Sequence, residues 1–242
     1  MRIAFSMMAL GLVLAASAAR AQTPSAEDIV AKNLAARGGL DKLRAVSTMK
    51  MTGTVTAQGM EMPLTVMTKR PNRMLQETTV QGARMVSAFD GERAWAINPR
   101  LGSSQPTDLT GPQAESVKDQ STFDGPLVAY KGRGDTLEMV GPADIAGGKA
   151  WKLKLTRKTG RAMFIYIDTQ SYLEKEWSTT VDQNGMSMDF ETVMSDYAPT
   201  PEGIMVARTL RTMVGGKQQG MLKVLTVEFN TPIDDSVFKK PS

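Results

Sequence analysis

The sequence predicts a mainly β fold (α+β) built on a single curved antiparallel sheet of about eleven strands. From Val46 onward, apolar and polar residues alternate with a period of two, which is typical of strands with one buried face. Tight-turn signals separate these strands, without the long helical segments that connect parallel strands. A sheet of this size is expected to curl, because strongly twisted open sheets rarely exceed about 10 strands.

A helix is predicted before the strands, within residues 22–45. Ser25 is a candidate N-cap, and Asp28 follows at the spacing of a capping box. Gly38-Gly39 supplies the usual stop signal. The helix has an apolar stripe that consists of Ile29, Val30 and Leu34.

Two blocks of strands are predicted, at residues 46–98 and 132–242. Asp90-Gly91 and Asn184-Gly185 are the strongest hairpin signals. Residues 99–131 between the blocks combine a Gly-, Pro- and Ser-rich stretch, which predicts a long loop, with short helical segments that suit a lid.

The first 21 residues are predicted to be a cleavable signal peptide. Arg2 precedes a short apolar run, and Ala19-Arg20-Ala21 places small residues at the two positions that signal peptidase inspects, so cleavage is expected before Gln22. The apolar run is shorter than the roughly 20 residues that span a bilayer. The chain has no cysteine to lipidate. We therefore expect residues 22–242 to form one periplasmic domain that is not lipidated.

Composition narrows the range of functions. The formal net charge is +4, and loss of Arg2 and Arg20 with the signal peptide leaves +2, which gives no reason to expect a nucleic-acid partner. The sequence has neither histidine nor cysteine. It therefore lacks the residues for a Cys/His zinc site and for Ser-His-Asp or Cys-His catalysis. We predict no catalytic residue, metal site or cofactor.

Methionine is abundant and recurs in pairs with one residue between. A Cu(I) thioether site is one interpretation, because soft sulfur ligands select that ion. Residues two apart on a strand share a face, however, so the pairs can simply point into an apolar interior. We favour this second interpretation over copper, because the pairs lie in different strands and no histidine or cysteine joins them. A third interpretation lies between the two and appeals more: flexible methionines lining the concave face of the sheet would suit acyl chains. The pairs are Met49 with Met51, Met60 with Met62, and Met186 with Met188.

Several segments resemble a known family. They are Phe89-Asp90-Gly91 with Trp95 and Asn98-Pro99, residues 123–128 (FDGPLV) followed by Tyr130-Lys131, Ser195-Asp196-Tyr197, and residues 233–238 (IDDSVF). Together with the first helix they are similar to periplasmic outer-membrane lipoprotein-sorting proteins of the LolA/LolB-like superfamily. The resemblance implies a half-barrel with helices packed as a lid over its concave face.

The resemblance also implies a carrier or chaperone that holds acyl chains in a hydrophobic cavity. The expected ligand is a lipid or an acylated protein, with envelope proteins as further partners and transient membrane contact. The alternative is a non-enzymatic envelope sensor or scaffold whose half-barrel is fully packed. The residues that we predict to face the cavity and bind lipid are Met62, Leu64, Val66, Trp95, Leu153, Leu155, Phe164 and Trp177.

Overall fold

The computed structural model describes residues 23–146, 148–183 and 186–241. The predicted signal peptide and the Asn184-Gly185 turn lie outside the described residues. The strands are β1 Thr48–Ala57, β2 Met60–Lys69, β3 Arg73–Val80, β4 Ala83–Phe89, β5 Ala94–Asn98, β6 Ser103–Asp108, β7 Thr136–Ile145, β8 Gly148–Thr156, β9 Ala162–Asp168, β10 Glu174–Gln183, β11 Met186–Pro199, β12 Met205–Val214 and β13 Lys217–Phe229.

These thirteen strands form one antiparallel sheet in the order β6-β5-β4-β3-β2-β1-β13-β12-β11-β10-β9-β8-β7. The last strand pairs with the first, so β1 and β13 lie at the centre, and β6 and β7 are the two edges. The sheet is therefore an open half-barrel, which confirms the predicted fold class. No helix in the described part of the chain is both long and apolar enough to cross a membrane.

The strand count differs from the expected eleven partly because of β6. The sequence predicted a loop there, but Ser103–Asp108 pairs with β5 at the edge of the sheet. This segment, SSQPTD, has no apolar alternation that would mark it as a strand, and it pairs by backbone hydrogen bonds with a single neighbour, β5.

Four α-helices are found in the described residues: α1 Ala26–Ala36, α2 Leu40–Ala45, α3 Gly111–Gln120 and α4 Tyr130–Arg133. The predicted capping box is present in α1: the Ser25 hydroxyl accepts from the Asp28 N–H, and the Asp28 carboxylate accepts from the Ser25 N–H. Gly38 follows this helix with a φ of +114°, and a side chain there would meet the Gly203 carbonyl oxygen.

The helices all pack on the concave face of the sheet. Helices α1, α2 and α4 cover β8 and β9, where Leu153, Leu155, Ile165 and Ile167 are fully buried. Helix α3 covers the other flank, where its Val117 packs against Met74, Phe89 and Ala94.

The convex face is covered at one end by the C-terminal segment. Phe238 packs there against Trp95 and Leu75, and both Phe238 and Trp95 are buried. Helices therefore fill the two flanks of the concave face and leave a cavity at its centre.

Candidate functional site

A cavity of about 250 Å³, which we call the groove, lies at the centre of the concave face. Its floor is formed by the central strands, and helix α2 and residues 121–129 stand over it. Most of its lining is apolar. The apolar lining residues are Leu43, Val46, Met49, Met51, Phe123, Val128, Trp177, Met194, Ile204, Met205, Val206, Ala207, Leu210, Val224 and Phe229.

Four methionines contribute to this lining. Met49 and Met51 share one face of β1, as the sequence pattern predicted, and Met194 and Met205 come from β11 and the start of β12. Neither Met62 nor Met188 lines the groove. Among the described residues, no group of three or more acidic, cysteine or histidine residues could hold a metal ion. Because methionine side chains are flexible and apolar, this lining can adapt to apolar ligands of different shape.

Residues 121–129, which we call the lid segment, connect α3 to α4 and close one side of the groove. Phe123, Asp124, Gly125 and Val128 from this segment line the cavity. Leu127 points away into the packed flank and is almost fully buried. The segment contains the FDGPLV motif that carried the family resemblance.

Arg70, just after β2, fastens the lid segment to the rest of the molecule. Its guanidinium donates two hydrogen bonds to the Asp124 carboxylate, Nη1 to Oδ2 at 2.7 Å and Nη2 to Oδ1 at 2.6 Å. Its Nε donates to the Val46 carbonyl at 2.6 Å, and its guanidinium carbon lies 4.5 Å from the centre of the Phe123 ring. A paired, planar contact of this kind is the geometry in which arginine binds carboxylates best.

A second charged pair, Arg37 with Glu174, also lines the groove. Arg37 Nη1 is 3.2 Å from Glu174 Oε1, and the Glu174 side chain is only 4% exposed. The other carboxylate oxygen accepts from the Trp177 indole N–H at 2.9 Å. Because both Glu174 oxygens have a donor, its charge is compensated in this apolar setting.

Tyr197 completes this side of the groove. Its hydroxyl donates to the Glu174 backbone carbonyl at 2.8 Å. Burial, together with the nearby Glu174 charge, raises the pKa of the Tyr197 hydroxyl well above its ordinary value. Tyr197 therefore stays protonated and neutral across the physiological range.

The eight residues predicted to face the cavity fall into four groups. Trp177 lines the groove. Leu153 and Leu155 lie on the concave face but are completely buried beneath the helices, so they are part of a closed core. Neither residue is part of the groove lining.

Met62, Leu64 and Val66 share the concave face of β2 beyond the groove. Val66 packs against the cluster that α3 covers, and Leu64 is buried. From this strand face, only Thr68 reaches the groove lining.

Trp95 and Phe164 lie on the opposite, convex face, which differs from their predicted placement. The Trp95 indole N–H donates to the Phe238 carbonyl at 2.7 Å, under the C-terminal segment. Phe164 alternates with the concave residue Ile165, and the Lys152 ammonium lies 4.0 Å from the centre of its ring. Period-two alternation gives two apolar faces here, and the sequence does not indicate which one is concave.

The charged residues of the groove were not predicted. Arg70 stands in a stretch that the sequence marks only as a turn, and its partner Asp124 is 54 positions away. Arg37 and Glu174 are likewise separated by 137 positions. The one local signal was the presence of Asp124 in an otherwise apolar motif.

No protein-family model and no curated protein matches this sequence. Among solved structures, the chain is similar to a protein of the DUF1329 family from Desulfovibrio piger, with 8% identity and a TM-score of 0.60 over 88% of this chain and 96% of that one.

Two further similar structures carry sorting-protein names. A LolA superfamily protein from Nitrosomonas europaea shares 14% identity with a TM-score of 0.59, over 90% of this chain and 98% of that one. A putative outer membrane lipoprotein-sorting protein domain from Vibrio parahaemolyticus shares 12% identity with a TM-score of 0.55, over 88% and 95%. The fold is LolA-like, as the sequence resemblance implied.

Proposed function

We propose that this protein is a non-enzymatic periplasmic carrier that holds the acyl chain of a lipid or acylated protein in the groove. The observation that supports this most directly is the apolar, methionine-rich cavity between the two packed flanks of the concave face. Burial of a methylene group is favourable by about 0.8 kcal/mol, so a chain can be retained without any charged contact.

The size of the groove makes the lid segment part of this proposal. Its volume of about 250 Å³ is just below the range of about 300–1,000 Å³ that is usual for ligand pockets. A whole acyl chain therefore requires the lid segment to move outward. The Arg70–Asp124 contact would hold the closed state, and its rupture would admit the chain.

Two matched variants test the proposal. Leu210→Glu places a carboxylate in the groove, and Leu225→Glu makes the same change on the neighbouring strand, where the side chain is 65% exposed. We expect stoichiometric uptake of a fluorescent fatty acid by the wild type and by Leu225→Glu, and at least tenfold weaker uptake by Leu210→Glu. Circular dichroism checks that each variant is folded.

Native mass spectrometry of protein recovered from its native envelope provides a second measurement. Lipid adducts are expected on the wild type and not on Leu210→Glu. A folded wild-type protein with no bound lipid and no uptake of the fatty acid would contradict the proposal.

One observation favours a second candidate, an envelope sensor or scaffold with a packed half-barrel. Both flanks of the concave face are already filled by the protein's own side chains. In that case ligand uptake fails, and Leu210→Glu alters stability alone.

A further inference from the structure

A second cavity, of about 420 Å³, lies where α3, α4 and the turn between β8 and β9 meet. We call it the basic cleft. Met163 and Thr179 contribute to its lining and stand on the same strand faces as Ile165 and Trp177. The cleft therefore opens on the concave face, as the groove does.

The charge of this cleft is unbalanced. Five basic residues line it against two acidic ones, Asp119 and Asp135, which leaves a formal charge of +3. The five basic residues are Lys118, Arg133, Arg157, Lys158 and Arg161.

Asp135 organises one wall of the basic cleft. Its side chain is 3% exposed, and its Oδ2 lies 3.0 Å from Arg133 Nε and 3.9 Å from Arg157 Nη1. Its Oδ1 accepts from the Lys158 N–H at 3.1 Å. Arg133 is also fixed by donating from Nη2 to the Pro126 carbonyl of the lid segment. One buried carboxylate thus positions two guanidinium groups and leaves them with a net positive charge.

Three cations of the cleft retain free hydrogen-bond donors. Within the described part of the chain, the Arg157 side chain makes no hydrogen bond beyond its long ion contact with Asp135. The ammonium groups of Lys118 and Lys158 have no ion-pair partner there. Unpaired donors that line one cavity suit a phosphate or carboxylate group.

The basic cleft and the groove adjoin each other. Thr122 lines the cleft, and the next residue, Phe123, lines the groove. Thr179 and Trp177, which line the cleft and the groove respectively, are two positions apart on β10, or about 7 Å along the strand. A single amphiphile can span that distance.

We propose that the basic cleft binds the anionic headgroup of the amphiphile whose acyl chain lies in the groove. This rests on the proposed function and adds the ligand's chemical class: an acyl chain that ends in a phosphate or carboxylate group. The apolar groove holds the acyl chain, and the basic cleft selects ligands whose headgroup is negatively charged.

Lysophosphatidic acid and monoacylglycerol of equal chain length test the assignment, since they differ only in the phosphate group. We expect the wild-type full chain to bind lysophosphatidic acid at least tenfold more tightly, and this ratio to fall as ionic strength rises. In Lys118→Ala/Lys158→Ala the ratio should fall at least fivefold. Lys217→Ala/Lys239→Ala removes the same charge at exposed positions outside the cleft and should keep the wild-type ratio.

The outcomes separate the two proposals. Equal binding of both lipids by the wild type leaves the groove intact and overturns the headgroup site. Binding of neither lipid overturns the proposed function and the headgroup site with it. If inorganic phosphate binds the lipid-free cleft while the two lipids bind alike, the cleft takes a free anion, and the headgroup assignment is wrong.

Discussion

The concave face of the sheet contains two regions whose strands are alike: in one the strand side chains are fully buried, and in the other they face a cavity. Over β8 and β9, strand side chains such as Leu153 and Ile165 are fully buried under α1, α2 and α4. Over β1, β13 and β11, side chains such as Met51, Val224 and Met194 face a cavity. In both regions the concave side chains of the strands are apolar.

What separates the regions is what covers them. The packed flank receives whole helices, whose apolar stripes fill the space between strand side chains at the density of a protein interior. The centre receives only the edge of α2 and the lid segment, which is held by the Arg70–Asp124 contact and by the buried Leu127. The difference between the closed core and the groove therefore lies in what covers the strands and not in the strands themselves.

The largest expected effect contrasts truncations in the two regions. Leu153→Ala should lower the free energy of unfolding by about 2–5 kcal/mol, because it leaves a void in a closed core. Met51→Ala should lower it by only about 1 kcal/mol, since that side chain already borders free volume. Urea unfolding followed by tryptophan fluorescence measures both. Equal losses would show that the groove is closed in solution.

The second prediction concerns the contact between Arg70 and the lid segment. Arg70→Ala should lower the free energy of unfolding by about 1.5–3 kcal/mol, because it leaves the Asp124 carboxylate and two backbone carbonyls without a charged donor. Amide exchange within residues 121–129 should become faster, while the amides of β8 and β9 keep their protection.

Arg84→Ala is the matched control for Arg70→Ala. It removes an arginine–carboxylate pair of the same length, Arg84 with Glu77 at 2.7 Å, whose side chains are 52% and 36% exposed. Such pairs contribute about 0–1 kcal/mol. If both variants lose the same stability and leave exchange in the lid segment unchanged, Arg70 does not fasten the lid.

The sequence predicts the strands of both regions because alternation is a local property. It does not predict the cover, because that depends on pairs far apart in the chain. Trp95 shows the limit: its strand was predicted, but its partner Phe238 stands 143 positions later and places the indole on the convex face. The sequence singled out the FDGPLV motif without showing that Asp124 binds Arg70, since neither residue type nor spacing marks an ion pair of that separation.

The smallest expected effect concerns the polar wall of the groove. Tyr197→Phe should lower the free energy of unfolding by about 0.5–1.5 kcal/mol near neutral pH. This is the usual contribution of one hydrogen bond, and the bond lost is the one to the Glu174 backbone carbonyl. Burial raises the pKa of the folded-state hydroxyl above the ordinary value of 10.0. The unfolded chain therefore releases this proton first as the pH rises.

It follows that this tyrosine's contribution to stability is complete below pH 10.0 and is lost as the pH rises from there toward the raised pKa. Urea unfolding of wild type and Tyr197→Phe at about pH 8 and at about pH 11 measures the difference, in which the other titrating groups cancel. The two free energies should converge at high pH. If the difference in free energy of unfolding between the two proteins is the same at both pH values, Tyr197 ionises as freely in the folded as in the unfolded chain. Its side of the groove is then open to water, unlike the packed flank.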